Sequence, residues 1–496
     1  MTGATSPTAR SAPPATPGTP GTPAPLIRRL AAALVEEGVR HCQWKGYLRQ
    51  RRREDGEGDI DLLIEASSVA QLTAILGRLG FIPALPRPPE QLPGVLSYFG
   101  YDRATGRVLH VHAHFRLVVG HYWTTTYQVP LERACLAAVV PGPLFPVPAP
   151  EHGVLLTVIR LLQRYTVRDA LRPDDPAWLV RARGELEALG TLASPAAVED
   201  ALRHELPSLD AAWLHRARAA LAPDGGPWRR LVARWELQRR LRPYARRPPP
   251  ALGVIRVIRW VVGLGGRWWR RSSLHRPLSG GKVIALVGGD GAGKTTSVRE
   301  LAHWLGSCFP TMTAHLGRPP RSLTTLAVGA WLKVVARLGR RRTGGEEAFP
   351  GYVALLRLLC TARDRYRLYG KARRWAAAGG VALCERYPVP QNWPLAGPQI
   401  GRYVEAAPHP RLARWLRDCE QRYYDRILPP DALIVLLVDP EVAARRKTDE
   451  PAEYVRGRAR VVWKTDWSRT PARIVDAGRP LLDVLTDLKE IVWSVL

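Results

Sequence analysis

Fifteen residues restrict this chain more than any others: Lys282-Val-Ile-Ala-Leu-Val-Gly-Gly-Asp-Gly-Ala-Gly-Lys-Thr-Thr296. The apolar run Val283 to Val287 has the length and β-branched content of a buried strand. A helical pattern follows from Thr295 to about Leu305. Between them Gly288, Gly293, Lys294 and Thr295 fit G-x-x-x-x-G-K-[ST]. The chemistry needs that order. Glycines let backbone N–H groups close around phosphate oxygens with no Cβ in the way. The positive end of the following helix points at the same anion. Lys294 would reach the β- and γ-phosphates, and the Thr295 hydroxyl would help hold Mg²⁺. A chance glycine-rich loop is the competing reading. The strand before and the helix after favour a nucleoside triphosphate site.

At 496 residues the chain has room for two to four domains, each able to bury a core. Its formal net charge of +29 raises nucleic acid, anionic membrane and phosphorylated substrates as partners. The basic residues are 65 Arg against 8 Lys, beside abundant Ala, Pro and Gly, which is the mark of GC-rich coding. Total charge therefore selects no partner. The six cysteines (Cys42, Cys135, Cys308, Cys360, Cys384, Cys419) show no C-x-x-C spacing. That cysteine pattern argues against a zinc site or a disulfide framework and fits a reducing cytoplasm. There is no apolar leader and no uncharged run long enough to span a bilayer, so a cytoplasmic protein is expected.

Residues 1–25 read as a disordered tail of Ala, Pro, Thr and Gly. An amphipathic helix is expected from Leu26 to Glu37, with Leu26, Ile27, Leu30 and Leu34 on one side. A short strand, His41 to Trp44, precedes Lys45-Gly46, and Gly58-Asp59-Ile60-Asp61-Leu62-Leu63-Ile64 reads as another. Alternation puts Asp59 and Asp61 on one face, an arrangement that holds Mg²⁺ for phosphoryl or nucleotidyl transfer. An exposed acidic strand end is the alternative. His110-Val-His112-Ala-His114 places three histidines on one strand face. They read either as a transition-metal site or as a polar face lining a cleft, and the second is favoured because histidines of one strand rarely complete a tetrahedral shell.

Trp44-Lys45-Gly46, Gly58 to Ile64, Gly80-Phe81 and His112-Ala-His-Phe-Arg-Leu117 together resemble an uncharacterised branch of the nucleotidyltransferase superfamily, over residues 26–170. The resemblance implies an α+β fold for residues 26–150. Two positions depart from the superfamily pattern. Its Gly-Ser phosphate grip is Gly46-Tyr47 here, and its third carboxylate falls at His112.

Residues 151–228 read as a helical accessory region. Residues 229–276 carry 14 arginines against one acid, Glu236, interleaved with Trp235, Trp260, Trp268 and Trp269 and broken by Pro248-Pro249-Pro250. A linker over 229–279 is the first expectation. Peripheral binding to an anionic membrane through Val254 to Val262 is the second, and nucleic acid the third.

From residue 280 onward strands and helices alternate, predicting an α/β domain with a mainly parallel sheet. A long helical region is expected between the glycine-rich motif's helix and Trp375. Strands are expected at Gly379 to Cys384 and Ala432 to Val438. The glycine motif, Glu385-Arg386-Tyr387, Leu428-Pro-Pro-Asp431, Val438-Asp-Pro-Glu-Val-Ala443 and Val475-Asp-Ala477 resemble thymidylate kinase and its relatives in order and spacing. The resemblance implies a P-loop NTPase parallel sheet flanked by helices over 280–496. It implies that Gly288, Gly291, Gly293, Lys294, Thr295 and Thr296 bind ATP, with Asp476 and Ala477 lining the adenine pocket. Thr295 and Glu385 would hold Mg²⁺, with Glu385 standing where the family has Asp. Asp290 would lie near the acceptor, Arg363 and Arg386 would bind the acceptor phosphate, and Arg445 and Arg446 would open a lid over the transferring group. After Tyr387 the family's pyrimidine-binding segment is replaced by Pro388-Val-Pro-Gln-Asn-Trp-Pro-Leu-Ala-Gly-Pro398. The expected activity is thus transfer of the ATP γ-phosphate to a phosphorylated acceptor, with dTMP not singled out. Two alternatives stay open: a bifunctional kinase and nucleotidyltransferase acting on a sugar, lipid-linked or natural-product intermediate, and an ATP-binding regulatory or membrane-associated protein. A homodimer is also left open.

Overall fold

The computed structural model describes residues 24–46, 58–86, 91–120, 127–246, 274–338 and 349–496. Most of the expected tail, Tyr47 and the Val254 to Val262 stretch lie outside the described residues. Contacts divide the chain into two units, residues 1–273 and 274–496. No described helix is long and apolar enough to cross a membrane.

The first unit is built on strands β1 (His41–Gln43), β2 (Asp59–Ile64), β3 (Phe81–Leu85), β4 (Val95–Asp102) and β5 (Arg107–His114), in the order β1-β2-β5-β4-β3. The pair β2 and β5 is parallel and the other neighbours are antiparallel. Two layers cover the sheet, and alternation sorts the side chains between them. Ile60, Leu62 and Ile64, with Leu109, Val111 and Ala113, pack beneath helices Pro25–Glu36 and Val69–Arg78. The first helix buries Leu26, Ile27, Leu30 and Leu34 as one stripe, as its periodicity predicts. Leu63, Cys42 and Trp44 face the opposite layer, a helical core running from Val154 to Leu241. Asp59 and Asp61 share the Leu63 face.

That helical core is organised on Pro150–Arg164, whose Val154, Leu155, Leu156, Val158, Ile159, Leu161 and Leu162 are all buried. A helix apolar on every side must be wrapped by others. Helices Ala177–Leu192, Pro195–Glu205, Ala211–Leu221 and Pro227–Arg240 do so. The last corrects the expected boundary, because residues 229–240 are folded helix and not linker. Arg230 is fully buried, donating to Ala220 O at 2.9 Å and to Asp175 Oδ1 at 2.5 Å. Arg183 donates to Leu221 O and to Asp175 Oδ2. Two guanidinium groups thus satisfy the last carbonyls of Ala211–Leu221, and one carboxylate bridges them, offsetting part of their charge.

The second unit carries the parallel sheet expected of it. Strands β6 (Lys282–Gly288), β7 (Thr311–His315), β8 (Val381–Glu385), β9 (Ala432–Leu437) and β10 (Ala472–Asp476) lie in the order β7-β8-β6-β9-β10, every pair parallel. The central strands are near-continuous apolar runs, as burial on both faces demands. The long helical region expected before Trp375 is divided. It contains the strand Thr311–His315, then helices Leu323–Leu338 and Tyr352–Ala377. This strand sits at the sheet edge with Ala314 as its only buried residue, so its sequence carries no apolar signature. Central β6 lies between β8 and β9, where the connections diverge, and ligands of such sheets bind beyond the strand ends at that point.

Candidate functional site

The glycine-rich segment leaves β6 and turns sharply into helix Lys294–Leu305. Gly291 has φ 81° and Gly293 φ 78°, a conformation that costs glycine nothing. The loop is also hemmed in. A Cβ on Gly291 would stand 2.5 Å from Ala443 O, and one on Gly289 would stand 2.7 Å from Ala459 Cα. Helices Pro440–Arg446 and Ala452–Lys464 therefore press directly on the loop and fix its path.

Three cations converge within it on one carboxylate. Arg386 Nη2 lies 2.5 Å from Asp290 Oδ1 and Arg458 Nε 2.7 Å from Oδ2. Lys294 Nζ is 4.0 Å from Asp290 Oδ1 and donates to Gly289 O at 2.5 Å. Burial opposes ionisation of Asp290, but Arg386, Arg458, Lys294 and Lys447 hold its carboxyl below the usual range. Lys294 is buried, and burial, with Arg386 beside it, depresses its ammonium to about 8. Arg386 has φ 53°, the one non-glycine residue in the left-handed region among those described. Gly317 accommodates it, since a Cβ there would come within 2.5 Å of Arg386 Cδ. Strain of this kind concentrates where a side chain must be aimed.

Glu385, buried at the end of β8, accepts from the Thr295 hydroxyl at 2.9 Å. Neighbouring corners of a Mg²⁺ octahedron lie about 2.8–3.0 Å apart, given bonds of about 2.0–2.1 Å. These two oxygens therefore fit two corners of such a shell. His315, at the end of β7, completes the wall. Its Nδ1 accepts from the Arg318 N–H at 2.9 Å, so its Nε2 carries the proton and faces Glu385 Oε1 at 3.6 Å. Burial keeps this imidazole below its usual pKa despite the carboxylate.

The structure thus gathers Gly288, Asp290, Gly291, Gly293, Lys294, Thr295, Glu385 and Arg386, with Thr296 the third residue of the helix. Other expected residues fall elsewhere. Arg363 donates to Ser322 Oγ at 2.7 Å and to Thr324, and pairs with Asp364 at 3.6 Å. It braces the 322–325 turn and makes no contact with Asp290 or Glu385. Arg445 is exposed on Pro440–Arg446. Arg446 donates to Ala477 O at 2.6 Å and Gly478 O at 3.0 Å, turned away from the glycine loop. It positions the turn after β10, where Asp476 Oδ1 accepts from Gly478 N at 2.8 Å and Ala477 is buried. The arginine that reaches Asp290 from the helices packed on the loop is Arg458, 2.7 Å from its Oδ2. Neither Arg458 nor His315 was singled out by sequence reasoning; the run Arg456-Gly-Arg458-Ala-Arg460 was the available signal for the first.

In the first unit Asp59 and Asp61 share a face, as alternation predicts, and lie among basic side chains. Asp61 is buried, 2.7 Å from Lys45 Nζ, 3.3 Å from His112 Nδ1 and 3.4 Å from His114 Nε2. Asp59 is half exposed and pairs with His110 Nδ1 at 2.7 Å. Burial opposes ionisation of Asp61, yet Lys45 and the two histidines hold it well below the usual range. Both carboxylates of the expected Mg²⁺ pair lie against imidazole nitrogens, which are poor neighbours for a hard cation.

No protein-family model and no curated protein matches this chain.

Proposed function

We propose that residues 274–496 form an ATP- and Mg²⁺-dependent phosphotransferase of the thymidylate kinase-like, P-loop type, which moves the γ-phosphate of ATP to a phosphorylated acceptor. One observation carries this reading. Lys294, Arg386 and Arg458 converge on a single carboxylate at the end of the central parallel strand. Asp290 occupies the place of an anion among three positive groups, more cationic charge than one carboxylate needs. Phosphoryl transfer requires such a surplus, because its catalysis is largely positioning and neutralisation of charge. Arriving phosphates take Lys294 and the glycine-loop N–H groups, while Arg386 and Arg458 turn from Asp290 toward the transferring group. Asp290 is then free to accept a hydrogen bond from the acceptor. Thr295 and Glu385 would hold Mg²⁺, which supplies further charge neutralisation when bound. Arg446 acts at a distance by fixing the turn that would face the base. Arg446→Ala is expected to raise KM for ATP about fivefold, the loss of roughly 1 kcal/mol of ordering, with kcat almost unchanged; steady-state kinetics checks it.

The acceptor side is stiff. Arg365 donates to Ala396 O at 2.9 Å, Tyr424 to Gly397 O at 3.0 Å, and Glu420 accepts from Gln399 N and Ile400 N. The proline-rich segment is thereby fixed to the helices behind it, which supports a dedicated acceptor different from the pyrimidine nucleotide of the family. The test is ADP formation from Mg²⁺-ATP, alone and with nucleoside monophosphates or sugar phosphates. A kinase forms ADP in proportion to one acceptor, with a phosphorylated product visible by mass. ADP formation indifferent to every acceptor would instead support the regulatory alternative.

A further inference from the structure

The residues around Asp61 are not used by the phosphotransfer reading. Strands β2 and β5 are parallel, in a register that sets Asp61 directly beside His112 and Leu63 beside His114. Asp61, His112 and His114 therefore stand on one face at the corners of a small triangle, carried by sheet and not by loop. The ligand atoms of all three lie within 4.8 Å of one another. Two edges are closer: His112 Nδ1 is 3.3 Å and His114 Nε2 is 3.4 Å from Asp61 Oδ1. In a tetrahedron with metal–ligand bonds of about 2.0–2.1 Å, neighbouring ligand atoms are about 3.3–3.4 Å apart. The octahedral spacing of about 2.8–3.0 Å that suits Mg²⁺ is shorter. Histidines of one strand alone rarely complete such a shell, but here the adjacent strand supplies a carboxylate between them.

The donor set points the same way. Two imidazoles and one carboxylate suit zinc and its neighbours, whereas Mg²⁺ prefers oxygen throughout. His114 is buried with the Trp44 ring edge against it at 5.0 Å, which fixes its plane. His112 is partly exposed. His110 lies beside the triangle, its ring edge-to-face with His112 at 4.1 Å, stacked on Phe99 at 4.1 Å and paired with Asp59.

We propose that Asp61, His112 and His114 form a tetrahedral binding site for a divalent transition metal of the zinc class, with its fourth position open to water or a ligand oxygen. Lys45 tunes the site. Its ammonium sits 2.7 Å from the same Asp61 oxygen, so it balances the carboxylate until a metal enters and competes with the metal for that atom.

The experiment uses the full-length, tag-free chain, stripped with a chelator and titrated with Zn²⁺ against a chromophoric competitor, then with Co²⁺. About one Zn²⁺ per chain is expected, and Co²⁺ should give the strong visible bands of a tetrahedral site. Thiolate charge transfer should be absent, which separates this site from Cys419, the one cysteine that is not buried. Asp61→Asn and His112→Gln should each lower Zn²⁺ affinity at least about 100-fold while circular dichroism stays unchanged. Lys294→Ala should leave it intact, and Lys45→Met should tighten it. Zn²⁺ binding equal in the native chain, Asp61→Asn and His112→Gln would overturn the proposal, as would the absence of any tetrahedral Co²⁺ spectrum. Weaker binding in Lys45→Met would contradict the shared-oxygen geometry.

Discussion

Replacing Lys294 with methionine is expected to lower phosphoryl transfer about 10³-fold and, in the same protein, to raise its stability. The first effect follows from the loss of the ammonium that would bridge the transferring phosphates. The second follows from burial. With its pKa lowered to about 8 from 10.5, the folded chain binds this proton less tightly than the unfolded chain does. Such a group costs stability at every pH below about 8, and the cost fades as pH rises through about 10.5. The difference is worth about 3 kcal/mol at neutral pH, and methionine removes it while keeping the apolar stem packed. Part of this gain is lost with the hydrogen bond to Gly289 O, so a net stabilisation of about 1–3 kcal/mol is expected at pH 7, shrinking toward pH 10. Urea unfolding at the two pH values checks it. Only the protonated form attracts phosphate, so ATP affinity of the native chain should fall as pH passes about 8 and that of Lys294→Met should not. A methionine variant less stable than the native chain at pH 7 would contradict this account of the buried charge.

Arg386 offers a paired test that separates aim from conformation. Both Arg386→Ala and Arg386→Gly remove the guanidinium beside Asp290, and both should lower transfer about 10²-fold. Their stabilities should differ. At φ 53° alanine keeps the strain of the left-handed region and glycine relieves it, so the glycine variant should be more stable by about 1 kcal/mol. Without strain the order reverses, because glycine loses more backbone entropy on folding. Thermal melting of the two variants side by side gives the sign directly.

Much of this was legible in the residues themselves, and where it failed the reason is physical. Val283 to Val287 and Val381 to Cys384 announce central strands because burial on both faces demands unbroken apolar runs. The glycine loop is legible because its backbone conformation restricts residue type. The edge strand Thr311–His315 has no such demand, and His315 stayed hidden with it. Arg458 could not be distinguished from its neighbours Arg456 and Arg460 until helix Ala452–Lys464 was seen pressing Ala459 against Gly289. Composition misled at Arg230 and Arg234. They count toward a basic segment, yet they donate to Ala220 O and Tyr165 O inside a helical core. At Asp61 alternation gave the face but not the neighbouring side chains. Neither the lysine at 45 nor the parallel register with His112 can be read from spacing along one strand.

The central claim is that the loop around Lys294 holds a nucleoside triphosphate, and equilibrium binding of Mg²⁺-ATP tests it most directly. Titration calorimetry of the native chain should give one site, in the micromolar range or tighter. Lys294→Met should bind at least about 100-fold more weakly, the loss of a charge-assisted contact in a buried site. Equal affinity in the native and Lys294→Met proteins, or no binding by the native chain, would contradict the account.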